Sequence, residues 1–212
     1  MNRTLRCAVG LGLLACLLGC PTQEFYLSQP EVPWEQRGIR RVAVPTFEAM
    51  PSAWAVADAA HQQVIQALAR GTVQVVERNA QAVLEGAVVT YDETTTTGAP
   101  RRVQQSSAAG GLQSVSYVWE LDATYAVRVG LVMRLKDAEG ALIWTKETYG
   151  DADETSTVRL NWPGNDPMPP PAVLPSSPDR GVFLRLRDQA SSEALQPLIG
   201  ALTVHYGYKA LQ

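Results

Sequence analysis

Across residues 115–135 every odd-numbered position is apolar or aromatic: Val115, Tyr117, Trp119, Leu121, Ala123, Tyr125, Val127, Val129, Leu131, Met133 and Leu135. Even positions carry Glu120, Asp122, Thr124, Arg128 and Arg134, and Lys136 follows. A period of two sustained over that distance cannot be helical, because it would scatter the apolar side chains around the helix. At about 3.3 Å per residue the strand runs to roughly 70 Å, against a usual length of about five or six residues. One small core cannot cover it. The expected geometry is a long antiparallel β-ribbon with Ala108, Ala109, Gly110 and Gly111 at its tip. The arm at residues 94–105 runs back beside it, with a bulge near Asp122. Its base, residues 83–91 against 125–135, belongs to the core, and its tip protrudes beyond.

The other segments supply what packs on that base. Residues 40–47 read as a short strand stopped by Pro45, and Pro51-Ser52 starts a helix over 53–70 in which Val56, Ala60, Val64 and Leu68 recur every four residues. Residues 72–77 and 82–91 read as strands, and Asp137-Ala138-Glu139-Gly140 turns into a further antiparallel strand at 141–149. The acidic run Asp151-Ala152-Asp153-Glu154 reads as a solvated loop. A Pro-rich loop follows at 161–178, with seven prolines between Pro163 and Pro178. Helical spacing returns with Phe183, Leu186, Ala190, Ala194, Leu198 and Leu202, and Pro197 is expected to split that helix. The fold class this predicts is α+β: a two-layer sandwich of a mixed or antiparallel sheet, a long hairpin, and two helical elements on one face.

At the N-terminus Arg3 and Arg6 precede an apolar stretch that closes with Leu17-Leu18-Gly19-Cys20, the layout of a lipoprotein signal peptide at residues 1–19. The stretch is shorter than the roughly 20 residues that span a bilayer. Cys20 is the expected lipidation site. Cys16 competes, but Cys20 leaves a longer apolar core upstream and is followed by the polar, Pro-containing residues 20–38, which read as a tether. Residues 39–212 then form a single domain. Cleavage removes two of the three cysteines, so no intrachain disulfide is expected. It also leaves 16 basic residues (18 less Arg3 and Arg6) against 21 acidic ones. With no basic stripe, nucleic acid is not an expected partner.

Chemistry-bearing residues are few. His61 and His205 are isolated in the sequence, and there is no nucleophile elbow, phosphate-binding glycine loop or paired-cysteine metal motif. No catalytic residue, metal or cofactor is expected. Arg128, Arg134 and Lys136 project from the polar side of the long strand and would suit anionic phosphates. Arg101-Arg102 reads as solvated. Val115, Tyr117 and Trp119 continue the apolar side past the available core and are candidates for a partner interface.

The lipobox, the opening Gly38-Ile39-Arg40-Arg41-Val42-Ala43-Val44-Pro45-Thr46-Phe47-Glu48 ahead of a helix, the strand at 82–91, and residues 125–140 leading to Leu142-Ile143-Trp144 together resemble the LptE family. That resemblance implies a non-enzymatic outer-membrane lipoprotein facing the periplasm. Its partner would be the LptD β-barrel, through which lipopolysaccharide reaches the outer leaflet, and it would plug that barrel and touch the glycolipid. Val42-Ala43-Val44-Pro45 and Val75-Val76-Glu77-Arg78 are also similar to CsgG-like and LpoB-like periplasmic lipoproteins, which would make the chain an accessory of another envelope assembly machine.

Overall fold

The computed structural model describes residues 23–28, 30–109, 112–163, 167, 180–203 and 205–210. The signal peptide, Cys20, the tip glycines Gly110 and Gly111 and most of the Pro-rich loop lie outside them. In chain order the elements are β1 (Gln23–Ser28), β2 (Arg41–Ala43), a 3-10 turn (Pro51–Ala53) and α1 (Trp54–Ala69). There follow β3 (Gln74–Val75), β4 (Ala82–Thr97), β5 (Arg101–Ala109), β6 (Leu112–Asp137) and β7 (Leu142–Pro163), then α2 (Arg180–Leu202) and β8 (His205–Ala210). This is the expected α+β class: a six-stranded mixed sheet with two helices against one face, plus a separate antiparallel pair of β1 with β8.

The period-two segment is one strand of 26 residues, β6, and it organises the sheet. On one side it pairs with β7 from Val118 to Lys136; on the other it pairs first with β4 and then, further out, with β5. β2 lies parallel to β3 and to the start of β4. Leu121, Ala123, Tyr125, Val127, Val129, Leu131, Met133 and Leu135 are all buried, so the alternation decided which face meets the helices. Two extra residues bend the ribbon. Val88 faces Leu131 while Thr90 faces Gly130, which leaves Val89 bulged and 41% exposed. Thr97 faces Ala123 and Arg101 faces Glu120, so three residues, 98–100, oppose Leu121 and Asp122. The bend expected near Asp122 is there, and the added residue is on the opposite arm.

Four expectations need correction. Pro197 does not split α2, which is continuous. The proline costs about 3 kcal/mol in a helix interior, but here it faces solvent, while Ala194, Leu195, Leu198, Ala201 and Leu202 around it are buried. At about 1.5–3 kcal/mol for each buried leucine, burial outweighs the lost hydrogen bond. Asp151-Ala152-Asp153-Glu154 is not a loop. It continues β7 with Ala152 buried, because the acidic residues alternate around an inward-facing small one. The fold begins before Ile39: Val32 and Trp34, in the stretch read as tether, are buried, and Trp34 Nε1 donates to the Leu202 carbonyl at 2.9 Å. Finally, His61 is not on a freely solvated face. Its Nε2 lies 3.1 Å from the Val44 carbonyl and its ring meets Phe47 edge-on at 5.4 Å, which fastens the loop after β2 to α1.

Candidate functional site

Helical cover of the sheet is set by α2, which runs along β6 and β7. Phe183 meets Tyr125 edge-on at 5.6 Å between ring centres, and Arg185 pairs with Glu154 at 3.0 Å. At about 1.5 Å per helical residue, the start of α2 at Arg180 lies roughly 5 Å further out than Phe183, one to two strand residues past Tyr125 and so level with Ala123. Residues 112–120 of β6, roughly 30 Å of strand, lie wholly beyond that point. Neither helix covers them. This outer ribbon, formed by β5, the start of β6 and the end of β7, holds the interface residues expected from sequence.

Its three candidates differ. Val115 is 54% exposed. Tyr117 is half-buried beneath the Arg102 guanidinium, whose carbon stands 4.5 Å from the ring centroid, so Arg102 belongs to strand β5 and has a cation–π partner. Trp119 is half-buried and packs against the margin of the core, with its Nε1 shielded from water and lacking a hydrogen-bond partner. Only Val115 and Tyr117 therefore continue the apolar row outward. Trp119 closes off the core.

At the joint between ribbon and core, Asp122 accepts from Arg101 and, at 2.8 Å, from the Thr157 hydroxyl, and its backbone carbonyl accepts from the Gly98 amide at 2.8 Å. The Arg101 bond, then the Thr157 bond, hold the Asp122 carboxyl below the ordinary carboxylate range. A depressed pKa stabilises the fold above the unfolded value, near 3.9, and that contribution disappears as pH falls through the lower folded value. The protection of the Gly98 amide, its exchange relative to an unstructured peptide at the same pH, is therefore expected to fall on acidification below about pH 4, and Asp122→Asn to abolish that fall. Equal acid sensitivity in the wild type and Asp122→Asn would refute this role for the joint.

The cations on the other face lie along the core section of β6. Arg128 is 3.6 Å from Asp151 and stands over the Tyr149 ring at 5.2 Å; Lys136 is 2.7 Å from Glu85. Arg134 faces Glu85 and Thr145 across the strands and lines a 270 Å³ depression with Glu48 and Glu85. Among the described residues it makes no ion pair. The expected cationic face is thus interleaved with carboxylates, because neighbouring strands place Glu85, Asp92, Glu147 and Asp151 on it. That cross-strand neutralisation could not be read from β6 alone. At the opposite end from the tip, Lys146 pairs with Glu31 at 2.6 Å, so the chain segment leading back toward Cys20 joins the sheet there. An apolar groove of about 430 Å³ lies beside it, lined by Trp34, Leu68, Val73, Ile199 and Leu202.

Among the described residues no group of three or more His, Cys, Asp or Glu side chains converges as a metal site, and no helix is long and apolar enough to cross a membrane.

The architecture defines the class: a two-layer α+β sandwich whose central strand extends past its helices. Residues 39–196, most of the chain, match the family model described as "LptE: Lipopolysaccharide-assembly", and the chain belongs to that family. No curated protein matches it. Among solved structures, a PelC dodecamer from Paraburkholderia phytofirmans is 16% identical, covering 86% of this chain and 98% of that one, at a TM-score of 0.35. A minor lipoprotein from Acinetobacter baumannii is 16% identical over 80% and 96%, at 0.38. A putative neuraminyllactose-binding hemagglutinin homolog from Helicobacter pylori is 11% identical over 83% and 88%, at 0.42.

Proposed function

We propose that this chain is a non-enzymatic lipoprotein, anchored through Cys20 in the outer membrane and facing the periplasm, that partners an LptD-like β-barrel in carrying lipopolysaccharide to the outer leaflet. Family membership supports the process. The observation that supports a protein partner is the uncovered outer ribbon, where exposed Val115 and Arg102-capped Tyr117 extend an apolar row beyond the helices. Contiguous exposed apolar surface is what a protein partner covers. The Glu31 end of the sheet lies opposite the tip. Of the three cations, Arg134 is the one assigned to glycolipid phosphate. Arg128 and Lys136 would each have to give up a carboxylate first.

Affinity purification of the tagged lipoprotein from its native membranes should recover a β-barrel. Recovery of a different envelope assembly machine, with no barrel, would overturn the reading in favour of a CsgG-like or LpoB-like role. Cys20→Ala should leave the protein unprocessed or release it from the membrane fraction. An unmodified mature N-terminus in the intact mass of the wild type would end the anchor assignment.

A further inference from the structure

β1 and β8 form a sheet of their own, and among the described residues neither strand packs along any other helix or strand. In their antiparallel register Phe25 is opposite Tyr208, Leu27 is opposite Tyr206, and Glu24 is opposite Lys209. Directly opposed residues share a face, and successive residues alternate between the two faces. One face therefore holds Phe25, Leu27, Tyr206 and Tyr208, with Gln23 and Ala210 at its end. The other holds Glu24, Lys209, Ser28 and His205, with Tyr26 opposite Gly207. A two-stranded ribbon is marginal by itself in water, so one with an apolar and aromatic face calls for a surface to lie on.

Position in the chain says which surface. β1 starts three residues after Cys20, so even at full extension Gln23 stays within roughly 11 Å of that cysteine, the scale of the lipid headgroup layer. We propose that the face of the β1 and β8 ribbon bearing Phe25, Leu27, Tyr206 and Tyr208 docks on the phospholipid bilayer beside the acyl anchor, with the ribbon lying in the membrane plane. The inference rests on the anchoring of Cys20 proposed above and adds a second membrane contact to it. The division of residues suits that occupant. Tyrosine is enriched at membrane interfaces, where its ring meets acyl chain and its hydroxyl meets water, while Phe and Leu supply apolar contact. Glu24 and Lys209 belong to the opposite face, which stays in water when the ribbon lies flat. Close to the ribbon the two ends of the chain are fastened together: the Val32 amide donates to the Ala201 carbonyl at 3.1 Å, and Trp34 Nε1 to the Leu202 carbonyl at 2.9 Å. A docked ribbon thus holds the base of the domain at the membrane, where a single-stranded tether would let it swing.

Nitroxide quenching of the lipidated full chain in vesicles of phosphatidylethanolamine and phosphatidylglycerol tests the orientation. With Cys20 acylated the mature chain has no free thiol, so a maleimide fluorophore marks only an introduced cysteine. Labels at Leu27→Cys and Tyr206→Cys should be quenched by acyl-chain nitroxide lipid at least about threefold more than labels at Tyr26→Cys and Lys209→Cys. Lys209 is the sharper control. Being opposite Glu24, it lies three residues nearer the anchor than Leu27, so a ribbon standing upright would have it quenched more. Should Leu27→Cys fail to fold, Phe25→Cys on the same face gives the same readout. Quenching ranked by distance from Cys20, or equal on both faces, would overturn the docking. So would chains that float with the vesicles yet show no quenching at any position, as a ribbon turned onto the domain's own groove at Trp34 would. Failure of the anchor reads differently: the wild type would take the label and stay behind in vesicle flotation, and the docking would fall with it.

Discussion

Gly150→Ala is expected to destabilise the protein by about 3 kcal/mol, at the upper end of the usual overpacking cost, and to lower its melting temperature by roughly 6–12 °C. Gly150 sits on the inner face of β7, opposite Val129, where α2 makes its closest approach to the sheet. A Cβ placed there would lie 2.0 Å from the Ala190 carbonyl oxygen and 2.6 Å from the Ala194 amide nitrogen. Both are backbone atoms in the middle of a 23-residue helix and cannot rotate away. Relief requires α2 to lift as a unit, which would strain the Thr148 hydroxyl bond to the Ala194 carbonyl at 2.6 Å and open the layer containing Leu186, Ala190, Ala194 and Leu198. The loss of unfolded-state entropy on replacing glycine, about 0.4–1 kcal/mol in favour of the variant, is too small to compensate. Gly86→Ala is the informative control. Its Cβ would come within 2.6 Å of the Phe47 ring, whose far edge can swing aside, so the cost should be well below that at Gly150. A Gly150→Ala protein that melts with the wild type would show that α2 is not seated as described.

Gly150 also shows where sequence stops being informative. The alternation of β6 identified the strand, its buried face and its excess length, because period two constrains every residue in it. The same logic recovered α1 and α2, whose apolar spacing is regular. What failed was local chemistry judged without tertiary context. Pro197 breaks a helix only when burial does not compensate, and the burial of Leu195 and Leu198 is invisible in their order along the chain. Asp151, Asp153 and Glu154 look like a solvated loop until β6 supplies the ladder that makes them a strand. Trp34 looked like part of a tether because its partner, the Leu202 carbonyl, is 168 residues away. The candidate site divides the same way: Val115 and Tyr117 were legible as a row with no core to cover it. The neutralisation of Arg128 and Lys136 was not, since Asp151 and Glu85 come from other strands.

Removing residues 103–118 and joining Arg102 to Trp119 through an Asn-Gly turn is expected to give a folded, lipidated protein that retains at least about tenfold less barrel partner, the loss that follows from deleting one aromatic anchor worth about 2 kcal/mol or more. The cut follows the register. Arg102 faces Trp119 and Arg101 faces Glu120, so a two-residue turn closes the hairpin without shifting the strands. Trp119 stays because it packs against the core, and Leu121 and Asp122 stay because the first is fully buried and the second holds the joint. Val115 and Tyr117, the apolar row outside helical cover on this face, are lost. Since α2 begins level with about Ala123, the deleted segment lies outside its cover and contributes little to the main core, and the melting temperature should move by no more than a few degrees. Full retention of the barrel would move the interface to another surface, with the groove at Trp34 and Ile199 the next to test. Unfolding of the shortened chain would mean that the ribbon is structural and would remove the argument from its exposed apolar row.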